Sequence, residues 1–170
     1  MVSEICPKFF NKYKTPVDIL SSKEDELSSD LKSIGYQYKK SIILKDISKE
    51  ILDRFNGEIP SNIDDLCSLK HVGTYIASAY LCFYKGYKEI PIDTNVLRIL
   101  SRIYKINIYG DNRIDTIVRA ILNELNIDGI HKKFFYALLD LGGTVCLPNR
   151  PKCEICPIGC KCYYKIVTGI

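Results

Sequence analysis

Four cysteines near the C-terminus have the spacing of ligands to one metal centre. Cys146, Cys153, Cys156 and Cys162 follow the pattern C-x6-C-x2-C-x5-C. Thiolates this close in the chain can converge on one centre, which suits either zinc or an iron–sulfur cluster. Without a metal the four would be free thiols open to oxidation, so we interpret them as ligands. Cys160 lies between the last two ligands and is a spare, with substitution for Cys162 as its one conceivable role.

An aspartate in the middle of the chain is the main candidate for catalysis by a charged side chain. Asp93 precedes the helix-like segment TNVLRIL, where aspartate is an ordinary N-cap. A carboxylate fixed in this way can also stabilise a developing positive charge and direct water onto it. From the residues alone the cap is the simpler role, and capping and catalysis can coexist because the cap orients the carboxylate.

The stretch LKHVGTYIA, residues 69–77, joins two helix-like segments through a turn with one glycine. Such a turn lets backbone N–H groups approach a phosphate, and the dipole of the second helix favours the negative charge. We predict phosphate contacts from Lys70, His71, Val72 and Gly73, with a purely structural turn as the alternative. If the backbone at His71 needs a positive φ, histidine is tolerable but strained there.

The elements that must position these residues are helical nearly throughout. Apolar residues recur at helical spacing, and no pair of alternating strands is joined by a hairpin signal. The longer helices are predicted at about 37–56, 74–85, 112–125 and 130–143. Ser61 is expected to cap the short helix that precedes the turn.

Composition sets broad limits on function. The chain has 170 residues, of which 46% are apolar and 26% charged, with a net charge of +4. This balance is typical of a globular protein, and its mild basicity permits nucleic-acid binding without requiring it. There is no apolar segment long enough to span a membrane and no signal-peptide pattern, so we expect a cytoplasmic, intracellular protein.

The cysteine spacing resembles the [4Fe–4S] loop of the endonuclease III family of DNA glycosylases at all four positions. Other segments resemble that family in the same order along the chain. SIGYQYKK is similar to its isoleucine–glycine loop, LKHVGTYIA to its helix-hairpin-helix, IPIDTNVLRIL to the segment with its catalytic aspartate, and LDLGGTVC to the helix before the first cysteine. In that family the turn usually has proline and glycine where this chain has Lys70 and His71, so we expect weaker phosphate binding unless these two side chains add charge contacts.

The resemblance implies an all-α, helix-hairpin-helix glycosylase fold. We expect a helical barrel domain, shortened at its N-terminus, over residues 1–143, with the helix-hairpin-helix at about 62–85. A [4Fe–4S] cluster loop would follow at 144–165. The resemblance begins late, because family members usually have several dozen further residues before the point that matches Val2.

The family also implies roles for Asp93 and Tyr75. Asp93 would stabilise the oxocarbenium-like sugar that forms when an N-glycosidic bond breaks. Bifunctional members have a lysine at the position of Tyr75, whose amine forms a Schiff base with the sugar. A phenol cannot form that imine, so Tyr75 resembles the monofunctional, mismatch-specific thymine glycosylases and would shape the base pocket. The alternative for Tyr75 is a core aromatic.

Four further residues are implied as DNA contacts. Tyr36 occupies the place of a wedge side chain that fills the gap left by an extruded base. Gln37 would bond to the orphaned base, although a solvated glutamine is an equal alternative. Arg150 and Lys152, inside the first cysteine loop, would contact phosphates.

Three functions remain open from the sequence. The first is a monofunctional base-excision glycosylase that removes thymine or uracil mispaired with guanine. The second is an endonuclease III-like glycosylase and lyase acting on oxidised pyrimidines, with its amine supplied by another lysine such as Lys70. The third is a truncated, non-catalytic DNA-binding relative. The partner expected throughout is double-stranded DNA with a mispaired or damaged base, bound by a nucleoid-associated monomer without membrane contact.

Overall fold

The computed structural model describes residues 2–107, 114–125 and 127–169. Within these ranges the structure contains helices and no β-strand, which confirms the all-α prediction. The α-helices are α1 (Val2–Lys12), α2 (Pro16–Ser21), α3 (Glu24–Asp30), α4 (Gln37–Phe55), α5 (Ile63–Cys67), α6 (Thr74–Tyr80), α7 (Thr94–Tyr104), α8 (Ile114–Glu124), α9 (His131–Thr144) and α10 (Tyr163–Thr168). Residues 112 and 113, the first two of the helix predicted at 112–125, lie outside the described residues.

The chain divides into two compact units, Met1–Gly73 and Thr74–Ile170. The predicted division into a core at 1–143 and a cluster loop at 144–165 stays a prediction. None of the helices within the described ranges is long and apolar enough to cross a membrane.

In the first unit, the long helix α4 packs against α2 and α3. Tyr13, Leu27 and Leu31 form a small buried cluster beside it. The capping prediction for α5 was wrong by one residue: Asn62, and not Ser61, caps it by accepting a hydrogen bond from the backbone N–H of Asp65 at 2.9 Å. Asparagine and serine cap equally well, so only the backbone path decides which of two neighbours does so.

In the second unit, α7 packs against α9, and α10 packs against α7. The apolar core includes Val96 and Ile99 of α7, Val118 of α8 and Phe135 of α9. The α6 helix passes into a π-helical turn, Leu81–Lys85, so the predicted helix over 74–85 is present but changes its hydrogen-bonding pattern. This core fixes α7, whose first turn begins at the predicted catalytic aspartate.

Candidate functional site

The turn after α5, residues 69–73, is called the hairpin turn here. His71 has a φ of 66°, in the left-handed region, so the strain considered for a histidine at this position is present. Gly73 does not adopt a positive φ. Within the described part of the chain, no acceptor is bonded to the backbone N–H groups of His71 or Gly73, which leaves these two donors for a ligand such as a phosphate.

Two carboxylates on α4 hold the hairpin turn. Lys70 Nζ lies 2.6 Å from Asp46 Oδ2, and His71 Nε2 lies 2.8 Å from the same oxygen. The backbone N–H of Lys70 donates to Glu50 Oε2 at 3.1 Å. The Lys70 ammonium, and then His71, hold the pKa of the Asp46 carboxyl below its usual range. The side chain of Lys70 is still 58% exposed. Lys70 and His71 can therefore make their predicted contacts to a phosphate only in competition with the Asp46 carboxylate.

The predicted wedge residue stands on a distinctive piece of backbone. Gly35 and Tyr36 both have positive φ, at 77° and 52°, and Tyr36 is 82% exposed. Lys40 Nζ donates to the carbonyl of Ile34 at 3.1 Å and so secures the residues just before the wedge. A large, exposed aromatic ring on a braced turn has the features that insertion into a base stack requires.

Gln37, the predicted contact to the orphaned base, begins α4 and is half-buried. It lines a polar cavity of about 340 Å³ in the first unit. The other residues that line this cavity are Asp25, Ser28, Ser29, Lys32 and Tyr38. The half-burial of Gln37 disfavours the alternative of a freely solvated glutamine.

Tyr75 lies in the first turn of α6 and is 49% exposed. Its neighbours Ala77 and Ser78 are completely buried, so α6 turns its small residues to the interior and leaves the tyrosine accessible. The alternative of Tyr75 as a core aromatic is therefore wrong. An accessible phenol at this position can contact a ligand but offers no amine.

Asp93 caps α7 with one oxygen and is held by a side chain with the other. Oδ1 accepts from the backbone N–H of Val96 at 2.8 Å, and Oδ2 accepts from the side-chain amide of Asn95 at 2.9 Å. Hydrogen bonds to a carboxylate stabilise its charged form and fix its orientation. The predicted N-cap is confirmed, and both oxygens of Asp93 have defined directions.

A chain of hydrogen bonds continues from Asp93 into the protein. Arg98 Nη2 donates to Asn95 Oδ1 at 2.7 Å and to the carbonyl of Gly142 at 2.9 Å. Arg98 Nε donates to the carbonyl of Cys146 at 2.9 Å. Sequence reasoning missed Asn95 and Arg98. Both are polar residues that closely follow the candidate carboxylate, and this position in the sequence could have identified them. In the fold both are half-buried on α7.

The four predicted ligand cysteines line one cavity, which we call the thiol pocket. Burial raises the pKa of the Cys153 thiol, and Cys162, Cys146 and Cys156 lie close enough to raise it further. Two short 3₁₀ turns, Cys153–Ile155 and Gly159–Lys161, fold the loop. No acidic or histidine side chain within the described ranges lines the thiol pocket, so its donor set is entirely sulfur.

Three further residues of the cysteine loop were singled out from the sequence: Cys160, Arg150 and Lys152. Of these, Lys152 lines the thiol pocket and the other two do not. Cys160 is exposed and lines a different, apolar groove, and its role as the spare cysteine stays a prediction. Arg150 is exposed, and Lys152 is exposed while its backbone N–H donates to the carbonyl of Val145 at 2.9 Å. Both charges are therefore accessible, as their predicted phosphate contacts require.

The described residues combine a helical fold, a hairpin turn with two unbonded backbone donors, a capped aspartate downstream and a pocket lined by four cysteines. These are features of a base-excision DNA glycosylase. Residues 1–126 match the HhH-GPD superfamily of base excision DNA repair proteins, and the chain belongs to this superfamily. It therefore acts as a DNA N-glycosylase.

Relatives and solved structures agree with this assignment. The chain is 29% identical over 163 residues to a thymine/uracil-DNA glycosylase of Methanothermobacter thermautotrophicus, covering 96% of this chain and 74% of that protein. It is 30% identical over 165 residues to endonuclease III of Bacillus subtilis, covering 95% and 73%. The solved structure of a thermostable thymine-DNA glycosylase superposes with a TM-score of 0.85 at 30% identity, over 97% of this chain and 76% of that one.

Proposed function

We propose that this glycosylase is monofunctional and removes thymine or uracil mispaired with guanine from double-stranded DNA. It would act as a monomer on nucleoid DNA in the cytoplasm. The proposal rests on two features that occur together. The carboxylate of Asp93 is held in a fixed orientation, and an accessible tyrosine, Tyr75, stands where bifunctional relatives have a lysine. The similarity to the thymine/uracil-DNA glycosylase of Methanothermobacter thermautotrophicus supports the choice of base.

Asp93 supplies the charge that the reaction needs. As the bond between the sugar C1′ and the base nitrogen breaks, the base leaves with the electron pair and the sugar becomes positively charged. The Asp93 carboxylate stabilises this positive charge and accepts a proton from the water whose oxygen bonds to C1′. Val96 and Asn95 hold the carboxylate in one orientation, so little reorganisation is needed during the reaction.

The hairpin turn and four further residues engage the DNA. The free N–H groups of His71 and Gly73 bind a phosphate without reading sequence, and Val72 forms the apolar part of the same turn. Tyr36 fills the space of the extruded base, and Gln37 bonds to the base left behind. Arg150 and Lys152 contact phosphates from the cysteine loop.

The thiol pocket is the proposed site of a [4Fe–4S] cluster. Cys146, Cys153, Cys156 and Cys162 would be its ligands. Within the described ranges, no three Cys, His, Asp or Glu side chains lie close enough to bind a single metal ion. A set of four thiolates is the usual ligand set of such a cluster. The cluster would supply structural support for the loop that bears Arg150 and Lys152.

The decisive experiment is a single-turnover excision assay, followed by alkali, on duplexes with G·T, G·U or an oxidised pyrimidine. Wild type should excise from G·T and G·U, and Asp93→Asn should be slower by about a hundredfold or more, as expected when a principal electrostatic contact is lost. Asparagine caps a helix as well as aspartate does, so Asp93→Asn keeps the fold. Asp128→Asn, the same change at an exposed site of the same unit, is the matched control. If wild type and Asp93→Asn bind DNA but are equally inert, the catalytic proposal fails.

The endonuclease III-like alternative depends on an amine that can attack the sugar. Lys70, the candidate amine, is bonded to Asp46 at 2.6 Å and would have to leave this ion pair to attack the sugar. Borohydride should therefore trap no covalent adduct between wild type and DNA. Tyr75→Lys serves as the positive control, because it places an amine at the position of the bifunctional relatives. A covalent adduct trapped with wild type would contradict the monofunctional proposal.

A further inference from the structure

Arg102 of α7 lines the thiol pocket and contacts the loop that forms it. Its Nη1 lies 3.3 Å from Cys146 Sγ and 2.7 Å from the carbonyl oxygen of Leu147. Nη2 donates to the carbonyl of Pro148 at 2.7 Å. One guanidinium thus binds the first cysteine and the two residues that follow it.

The same residue also touches the last cysteine. The thiol of Cys162 lies 3.5 Å from the carbonyl oxygen of Arg102, so Arg102 contacts the first and last cysteines of the loop by different groups. The guanidinium carbon lies 4.9 Å from the centre of the Tyr164 ring, and this stacking limits the orientations of the guanidinium. All five of these contacts span more than forty residues of sequence.

Three basic residues, Arg102, Lys152 and Lys165, line the thiol pocket. A Cβ added to Gly159 would lie 3.0 Å from Lys165 Cδ and 3.2 Å from the carbonyl oxygen of Cys153, so a glycine at this position makes room for the Lys165 stem beside the loop. Four thiolates bring several negative charges together, and nearby cations reduce their mutual repulsion.

We propose that Arg102 is the electrostatic anchor of the cluster: it donates an N–H···S hydrogen bond to Cys146, raises the reduction potential of the cluster and slows its loss. The inference rests on the proposed [4Fe–4S] cluster and deepens it by assigning a residue that sequence reasoning did not single out. Arg102 is a positioning and tuning residue and not a ligand.

The sign of the effect follows from charge. Reduction adds an electron to a unit that is already negative, and a nearby cation or a hydrogen bond to sulfur stabilises the reduced form. Removing the positive charge of Arg102 therefore makes the midpoint potential more negative. Removing its bonds to Leu147 and Pro148 frees the chain next to Cys146, so the ligand detaches more often.

The test uses the anaerobically purified full chain and compares wild type with Arg102→Gln, Arg102→Lys and Lys105→Gln. Lys105 directly follows α7, and its Nζ lies 5.0 Å from the centre of the Tyr163 ring. Because Lys105 does not line the thiol pocket, Lys105→Gln is the matched loss of a positive charge. The measurements are the midpoint potential and the rate at which the visible absorbance disappears in air or chelator. Arg102→Gln should shift the potential to more negative values and lose absorbance several times faster than wild type and Lys105→Gln.

Arg102→Lys separates charge from geometry. It keeps the charge but cannot bind two carbonyls and a sulfur together, so its potential should stay near wild type while the cluster is lost faster. If circular dichroism shows that Arg102→Gln does not fold, the loss rate of Arg102→Lys decides the question. The inference is overturned if a folded Arg102→Gln matches wild type in both measurements, if Lys105→Gln changes as much, or if Arg102→Lys, deciding alone, keeps its cluster as long as wild type.

Failure of this inference is distinguishable from failure of the proposed function. Base excision from G·T and G·U is measured on the same preparations and does not depend on the potential. A colourless wild type that contains zinc would overturn the cluster proposal and this inference together. A coloured wild type whose cluster ignores Arg102 would overturn only this inference.

Discussion

Gly142 lies so close to Asn95 that a Cβ atom on the glycine would be 2.8 Å from Asn95 Cβ and 2.9 Å from its Oδ1. Real side chains do not approach this closely, so any larger residue at position 142 must displace Asn95. Because Asn95 holds the Asp93 carboxylate, the packing of α9 on α7 sets the orientation of the proposed catalytic group.

Gly142→Ala should therefore slow base excision. Displacing Asn95 removes a hydrogen bond to a charged group, an effect of about 1.5–3 kcal/mol, or about ten- to 150-fold in rate. Single-turnover kinetics should show the loss in the rate of the chemical step, while DNA affinity stays near that of wild type. Gly143→Ala is the matched control, because the space around the next glycine is open. Equal rates for the two variants would show that Asn95 does not position Asp93.

Asp46→Asn should strengthen DNA binding. The change releases Lys70 and His71 from the carboxylate that holds them, so both become available to a phosphate. Each new phosphate contact should steepen the dependence of log affinity on log salt by about 0.9. Asp53→Asn, the same charge change on the exposed part of α4, should raise affinity less because Asp53 does not contact the hairpin turn. Fluorescence anisotropy over a salt series measures both, and identical salt slopes for the two variants would contradict the prediction.

The stability of the protein should also depend on Asp46 in acid. Lys70 and His71 lower the pKa of Asp46 in the folded state, so the unfolded chain binds a proton more readily than the folded one. The stabilising contribution is therefore present above the unfolded pKa of about 3.9 and is lost as pH falls through the lower folded value. Urea unfolding should show wild type more stable than Asp46→Asn at pH 7, with a smaller difference at pH 3. A difference that grows in acid would contradict this assignment.

Tyr36→Ala should impair excision from duplex DNA. Losing the stacking of an aromatic ring on a base removes about 1–3 kcal/mol, which corresponds to about five- to 150-fold in the population of extruded base. Single-stranded substrates need no wedge, so their excision rate should not change. Tyr38→Ala, which removes a 65% exposed tyrosine two residues away, is the matched control. Equal losses on single- and double-stranded substrates would indicate damage to the fold and not to the wedge.

Local interactions explain what could be predicted from the sequence. The bounds of α4 and α9, the cap at Asp93 and the set of four cysteines depend on residues a few positions apart, and spacing alone identifies them. The possibility of a left-handed backbone at His71 came instead from the family resemblance, because His71 stands where that family usually has a glycine. Cys160 was recognised as the spare cysteine from its place in the spacing, and its exposure agrees.

Contacts between distant residues were decided only by the tertiary structure. Asp46 pairs with Lys70 across 24 positions, Arg98 reaches Cys146 across 48 and Arg102 reaches it across 44. No periodicity or short motif encodes such pairs, because they depend on how one helix packs against another. The sequence by itself therefore determined which residues can do the chemistry and which helices bear them. Packing determined which carboxylate restrains the hairpin turn, what orients Asp93 and which cation lies beside the cysteines.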